Sequence, residues 1–137
     1  MRIELTFPEK IIFTTQLDVR VSDLNYGNHL GNDSILSLVH EARMRFLSDA
    51  GYSEMNVEGV GLIMADAGIQ FKSEAFYGET IHVEIAINDI ARVSFDLYYR
   101  LKCNERIVAI VKTGMLFFDY ENRKIKSVPA GFAEKFK

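Results

Sequence analysis

The stretch Asp23-Leu24-Asn25-Tyr26-Gly27-Asn28-His29-Leu30-Gly31-Asn32 gathers a carboxylate, carboxamides, an imidazole and two glycines into ten residues. Such a set could activate a water molecule or orient a carbonyl. An imidazole accepts a proton near neutral pH without a large shift. A helical pattern starts directly after the stretch, and a helix N-terminus offers unpaired N–H groups and a positive dipole end to a developing anion. Three residues are candidates for the base: Asp23, His29 and Glu41. Asp23 and Asn25 would point the same way if the segment is extended. Glu41 falls on the polar stripe of the following helix, about 12–14 Å along its axis at ~1.5 Å per residue. That is far from its own loop, but within range of a partner's loop across a dimer. Each has a plain structural role as well: Asp23 as a turn cap, Asn32 as a helix cap, His29 as the partner of a loop carbonyl, and Glu41 as the i,i+4 partner of Arg45.

The flanking patterns say what must hold this loop. Over residues 10–22, Ile11, Phe13, Thr15, Leu17, Val19 and Val21 alternate with more polar neighbours, which predicts a strand. Over 33–50, Ile35, Leu38, Val39, Ala42 and Phe46 recur at helical spacing, widened by Leu36 and Leu47, with Gly51 as the stop. A short second helix is expected at 53–58. Strands follow at about 60–72, 79–90, 92–103 and 106–119, separated by turn signals such as Tyr77-Gly78-Glu79 and Asn88-Asp89. Ile107–Val111 is apolar on both faces, as in a central strand. Gly114 implies a bulge or close approach, and 129–136 a final helical turn. One long helix against five or six antiparallel strands covers only one face of the sheet, so a dimer or tetramer is expected.

The chain has 137 residues, read as one domain over 1–137, and a net charge of −3, which argues against nucleic-acid binding. The single Cys103 excludes an internal disulfide and a multi-cysteine metal site. His40 and His82 lack metal-ligand spacing with His29, so no metal is expected. No apolar run approaches the ~20 residues needed to span a bilayer. A cytoplasmic protein with no membrane partner is the expectation.

With these elements in this order, the chain resembles the hotdog-fold thioesterases, most closely the 4-hydroxybenzoyl-CoA thioesterase-like branch of acyl-CoA thioesterases. The resemblance is carried by Val19-Arg20-Val21-Ser22-Asp23-Leu24-Asn25, by Gly27-Asn28-His29-Leu30-Gly31-Asn32 leading into the helix, by Gln70–Ala75 before Tyr77-Gly78-Glu79-Thr80, and by Phe117-Phe118-Asp119-Tyr120 with Val128-Pro129. It implies an α+β fold with a long central helix wrapped by a five- to six-stranded antiparallel sheet. It also implies hydrolysis of an acyl-CoA thioester, with coenzyme A as part of the substrate and no separate cofactor. In much of the branch the loop reads Asp-x-Asp, and the second Asp is the base or nucleophile. Here Asn25 stands in that place, so it would orient water or the carbonyl. Backbone N–H groups around Gly31 and Asn32 would meet the oxyanion, with Gly27 and Gly31 permitting close approach. Met64 and Phe71 would line the acyl pocket, and Lys72, with Arg92, Lys102 and Lys112, would be available to coenzyme A phosphates. Asn25 also keeps open a second reading, a protein that binds acyl thioesters without cleaving them.

Overall fold

The computed structural model describes residues 1–137. The chain forms β1 (Phe13–Asp18), a 3-10 turn (Val21–Asp23), α1 (Ser34–Asp49), β2 (Gly61–Phe71), β3 (Thr80–Asn88), β4 (Ser94–Cys103), β5 (Arg106–Asp119), β6 (Lys124–Ile125) and α2 (Ala130–Phe136). The strands make one antiparallel sheet in the order β1-β3-β4-β5-β2, with β6 paired to β5. This is the expected α+β arrangement. No helix is long and apolar enough to cross a membrane.

Side-chain alternation decides which face of the sheet meets α1. Ile81, Val83 and Ile85 of β3, and Phe95, Leu97, Tyr99 and Leu101 of β4, all turn inward and are buried. They meet Ile35, Leu38, Val39, Ala42, Phe46 and Leu47 of α1. Burying one such side chain contributes about 1.5–3 kcal/mol, against roughly 0–1 kcal/mol for an exposed ion pair. Helix-on-sheet packing therefore sets the architecture. Phe132 of α2 fills the remaining gap and stacks at 4.8 Å on Phe95 and 5.2 Å on Phe117. The helix ends as expected before Gly51, whose φ of +83° suits glycine.

Arg43 carries a charge into this interior. Arg43 donates from Nε to Glu54 Oε2 at 2.9 Å and from Nη1 to Tyr99 Oη at 3.2 Å, and Tyr99 Oη shares a hydrogen with Thr113 Oγ1 at 2.8 Å. His40 Nε2 lies 2.7 Å from the other Glu54 oxygen. Burial raises the Glu54 carboxyl, but the bonds and charges of His40 and Arg43 outweigh it and hold the group below its ordinary value.

Three expectations change, and the one at Gly114 holds. The first strand stops at Asp18, because the chain turns at Val21–Asp23 and no longer pairs. Residues 53–58 form no helix. Two tight turns bridge Ser53 to Asn56 and Val57 to Val60, and the Asn56 side chain takes the Gly59 N–H at 2.8 Å in competition with helical bonding. At Gly114 the expected irregularity is present: the β2–β5 register shifts between Met64 and Asp66 opposite it, and Asp66 Oδ1 accepts the Gly114 N–H at 3.1 Å. Finally, the N-terminal segment crosses the outer sheet face as a strap. Leu5 N–H donates to Gln70 Oε1 at 3.0 Å, and Phe7 stacks under Arg100 at 4.3 Å. Part of the face opposite α1 is thus covered from within the chain.

Candidate active site

The polar loop is wired to itself and to the β2–β3 connection. Asn25 N–H donates to the His29 carbonyl at 2.8 Å, and Asn28 N–H to the Asn25 carbonyl at 3.0 Å. Asn28 adopts φ +65°, which asparagine tolerates. The Asn25 side-chain oxygen accepts two further bonds, from Gly27 N–H at 2.9 Å and His29 N–H at 3.2 Å. Those two donors identify that atom as the oxygen, so the amide nitrogen keeps both its hydrogens for another partner. A Cβ on Gly27 would come within 3.3 Å of the same oxygen.

Leu30 N–H donates to the Ala75 carbonyl at 2.8 Å, and His29 bridges Phe76. This short pairing brings the distant 72–76 segment alongside the loop. It sets His29 Nδ1 3.1 Å from Glu74 Oε1 and the imidazole 5.1 Å from the Phe76 ring. Behind it, Glu79 Oε1 accepts the Phe76 N–H at 2.8 Å and Arg106 Nη2 at 2.6 Å. The Arg106 bond, outweighing burial, holds the Glu79 carboxyl below its ordinary value. Cys103 Sγ donates to the other Glu79 oxygen at 3.3 Å, and burial, then this contact, pushes its thiol up.

A pocket of about 300 Å³ opens between loop and connection. Its polar lining residues are Asn25, His29, Asn32, Lys72, Ser73 and Glu74. Its apolar lining residues are Leu30, Ile35, Phe71, Ala75 and Val108. At the start of α1, the Asn32 and Asp33 N–H groups donate to no backbone or side-chain acceptor of the chain. Gly31 N–H is different: it donates to the Asp23 carbonyl at 2.9 Å and is not free. Asp33 occupies the cap position without a side-chain cap bond, and its Oδ1 lies where a Gly31 Cβ would fall.

Five expected site residues thus do not line this pocket. Asp23 is buried, its Oδ2 accepting Arg20 N–H at 2.8 Å and its carboxylate facing the Arg20 guanidinium at 3.4 Å. It does not point with Asn25, because the 3-10 turn cancels strand alternation. Glu41 pairs with Arg45 at 2.9 Å and borders a separate hollow with Arg20 and Ser37. Met64 is exposed on β2, seven residues and about 23 Å of strand from Phe71. Gly27 and Gly31 act through loop geometry. Glu74 was not among the expected site residues. Its segment was visible in the sequence, but its place beside His29 depends on the Leu30–Ala75 pairing.

The family model of the Thioesterase-like superfamily matches residues 19–136. A relative from Aquifex aeolicus (strain VF5), named "Putative esterase", is 27% identical over 99 residues, which cover 71% of this chain and 76% of that protein. A 1,4-dihydroxy-2-naphthoyl-CoA thioesterase from Synechocystis shares the fold with a TM-score of 0.81 at 22% identity, over 90% of this chain and 94% of that one. A gentisyl-coenzyme A thioesterase has a TM-score of 0.81 at 16% identity, over 91% and 100% of the two chains. The fold is therefore the hotdog fold.

Proposed function

The chain belongs to the thioesterase-like superfamily, and from that premise we propose that it hydrolyses an acyl thioester of coenzyme A. The supporting observation is the pairing, in one pocket, of an imidazole with an amide whose oxygen is already saturated. His29 takes a proton from water. The water oxygen attacks the thioester carbonyl carbon, and the negative charge collects on the carbonyl oxygen. The Asn25 amide nitrogen and the Asn32 N–H are the free donors in the lining available to it. Collapse breaks the C–S bond, and the proton on His29 passes to the departing sulfur. RCO–SR′ and H₂O thus yield RCOOH and HSR′. A thiol of pKa near ~8.5 needs little acid assistance to leave. The apolar lining residues Leu30, Ile35, Ala75 and Val108 would take the acyl group, and Lys72 in the same lining would be available to carrier phosphate. Two proteins of the same fold are described as CoA thioesterases, which supports the choice of carrier.

The site also borders unsatisfied surface. β2 is an edge strand of 11 residues with an unpaired side and with Ile63, Met64 and Phe71 exposed. Tyr26, Phe76 and Tyr77 are exposed near the pocket. A long apolar edge without proline or lysine invites another strand. A second copy pairing along β2 would cover this edge and close the open side of the pocket.

The test is release of free thiol from a panel of aliphatic and aromatic acyl-CoAs, read with a thiol-reactive dye. Turnover is expected for at least one class, with a loss of about 10²–10⁴-fold in His29→Ala. Measurable acyl-CoA binding without thiol release would replace hydrolysis by the binding-protein reading.

A further inference from the structure

Given the proposed carrier, on which this reading rests, we infer that the hollow between the N-terminal strap and the end of β2 is the subsite for the nucleotide of coenzyme A. This second hollow, of about 580 Å³, adjoins the active-site pocket and shares Phe71 and Lys72 with it. Arg2, Ile3, Ile69 and Gln70 also line it.

Two bonds place its walls. Lys72 N–H donates to the Val108 carbonyl at 2.9 Å, which ties the end of β2 to β5. Leu5 N–H donates to Gln70 Oε1 at 3.0 Å, which holds the strap, and with it Ile3 and Arg2, beside β2. That bond also identifies the Gln70 oxygen, so the amide nitrogen keeps both its hydrogens for another partner. The Arg2 and Lys72 side chains are exposed and form no ion pair within the chain. No carboxylate lines this hollow, whereas Glu74 lines the active-site pocket. Glu4, further along the strap, is exposed and outside the lining. Two cations and an amide donor suit phosphate, which arginine can bind through two parallel N–H groups. The exposed ring of Phe71, with Ile3 and Ile69 in the same lining, offers a face to an aromatic base. A ligand with both parts is a phosphorylated nucleotide. In an acyl-CoA that group lies at the opposite end of the carrier from the thioester, and Phe71 and Lys72 join the hollow that would hold it to the pocket of His29. An acyl carrier protein presents phosphopantetheine without a base and would leave the aromatic face unused.

The experiment is titration calorimetry of coenzyme A, and of pantetheine, which lacks the nucleotide, against the full chain as wild type, Arg2→Gln, Lys72→Gln and the double variant. Both side chains are exposed and unpaired, so all four proteins should share one urea midpoint. Each single variant is expected to weaken coenzyme A about fivefold, the upper end for an exposed charge pair, and the double variant roughly 25-fold. High salt should erase most of that difference. Pantetheine should bind the wild type more weakly than coenzyme A does, and no differently in the variants. Coenzyme A that fails to bind the wild type at millimolar concentration, binds the double variant as well as the wild type, or weakens only in step with pantetheine overturns the inference. So does a loss confined to thioesters on a carrier protein. A double variant that releases thiol from acyl-CoA with the wild-type KM likewise overturns it, and leaves the hydrolysis standing. A wild type that binds coenzyme A through these residues but releases no thiol upholds the subsite and refutes the hydrolysis.

Discussion

Replacing Asn25 with Asp separates the wiring of the loop from its chemistry. The side-chain oxygen that receives Gly27 N–H at 2.9 Å and His29 N–H at 3.2 Å persists in aspartate. Both bonds become charge-assisted, so the loop keeps its shape and stability changes by no more than about 1 kcal/mol. The other atom changes from an amide nitrogen with two hydrogens to an acceptor-only oxygen. The pocket loses one donor to the oxyanion and gains a negative charge beside it. Loss of one such donor costs about 10²–10³ in kcat, or roughly 2.7–4 kcal/mol. Thiol release by Asn25→Asp should therefore fall by at least that factor on the best acyl-CoA, while the urea midpoint stays within error. A variant as active as the wild type, or more so, would refute this reasoning. The position would then serve a base, and His29 would lose that role.

Two further outcomes follow from other parts of the molecule. Ala67 is exposed midway along the open β2 edge; Ala67→Lys should sediment as a monomer where the wild type sediments as a dimer, and a monomeric wild type at micromolar concentration would contradict edge pairing. Burial, then the 2.6 Å bond to Glu58, pushes the Tyr52 phenol up to about 12. The folded value lies above the unfolded one of ~10, so this contribution to stability is complete below about pH 10 and is lost as pH rises toward 12. Tyrosinate absorbance should show a late-titrating group that is missing in Tyr52→Phe; identical titrations would contradict the assignment.

Periodic segments were readable from the residues alone. Ile81, Val83, Ile85 and Ile87 alternate because one side of β3 faces α1, and the apolar spacing from Ile35 to Leu47 follows the matching face of the helix. Asp23 was harder to read: strand alternation fails once the chain enters a 3-10 turn, and nothing local distinguishes a capping carboxylate from a base. Glu74 was out of reach for another reason. Its distance to His29 depends on a backbone pairing between residues 45 apart, Leu30 and Ala75, and charge or periodicity carries no trace of that. The strap at residues 1–12 shows neither strand nor helix rhythm, since single residues such as Leu5 and Phe7 anchor it, each to a different strand.

Phe71 belongs both to the pocket lining and to the end of the open β2 edge. In the proposed dimer paired along β2, occupancy and self-association would be linked equilibria. A ligand that touches both copies would promote their union, and union would tighten the ligand by the same factor. Dilution would accordingly weaken affinity as well as assembly, and one shared aromatic ring would make chain concentration a variable of substrate recognition.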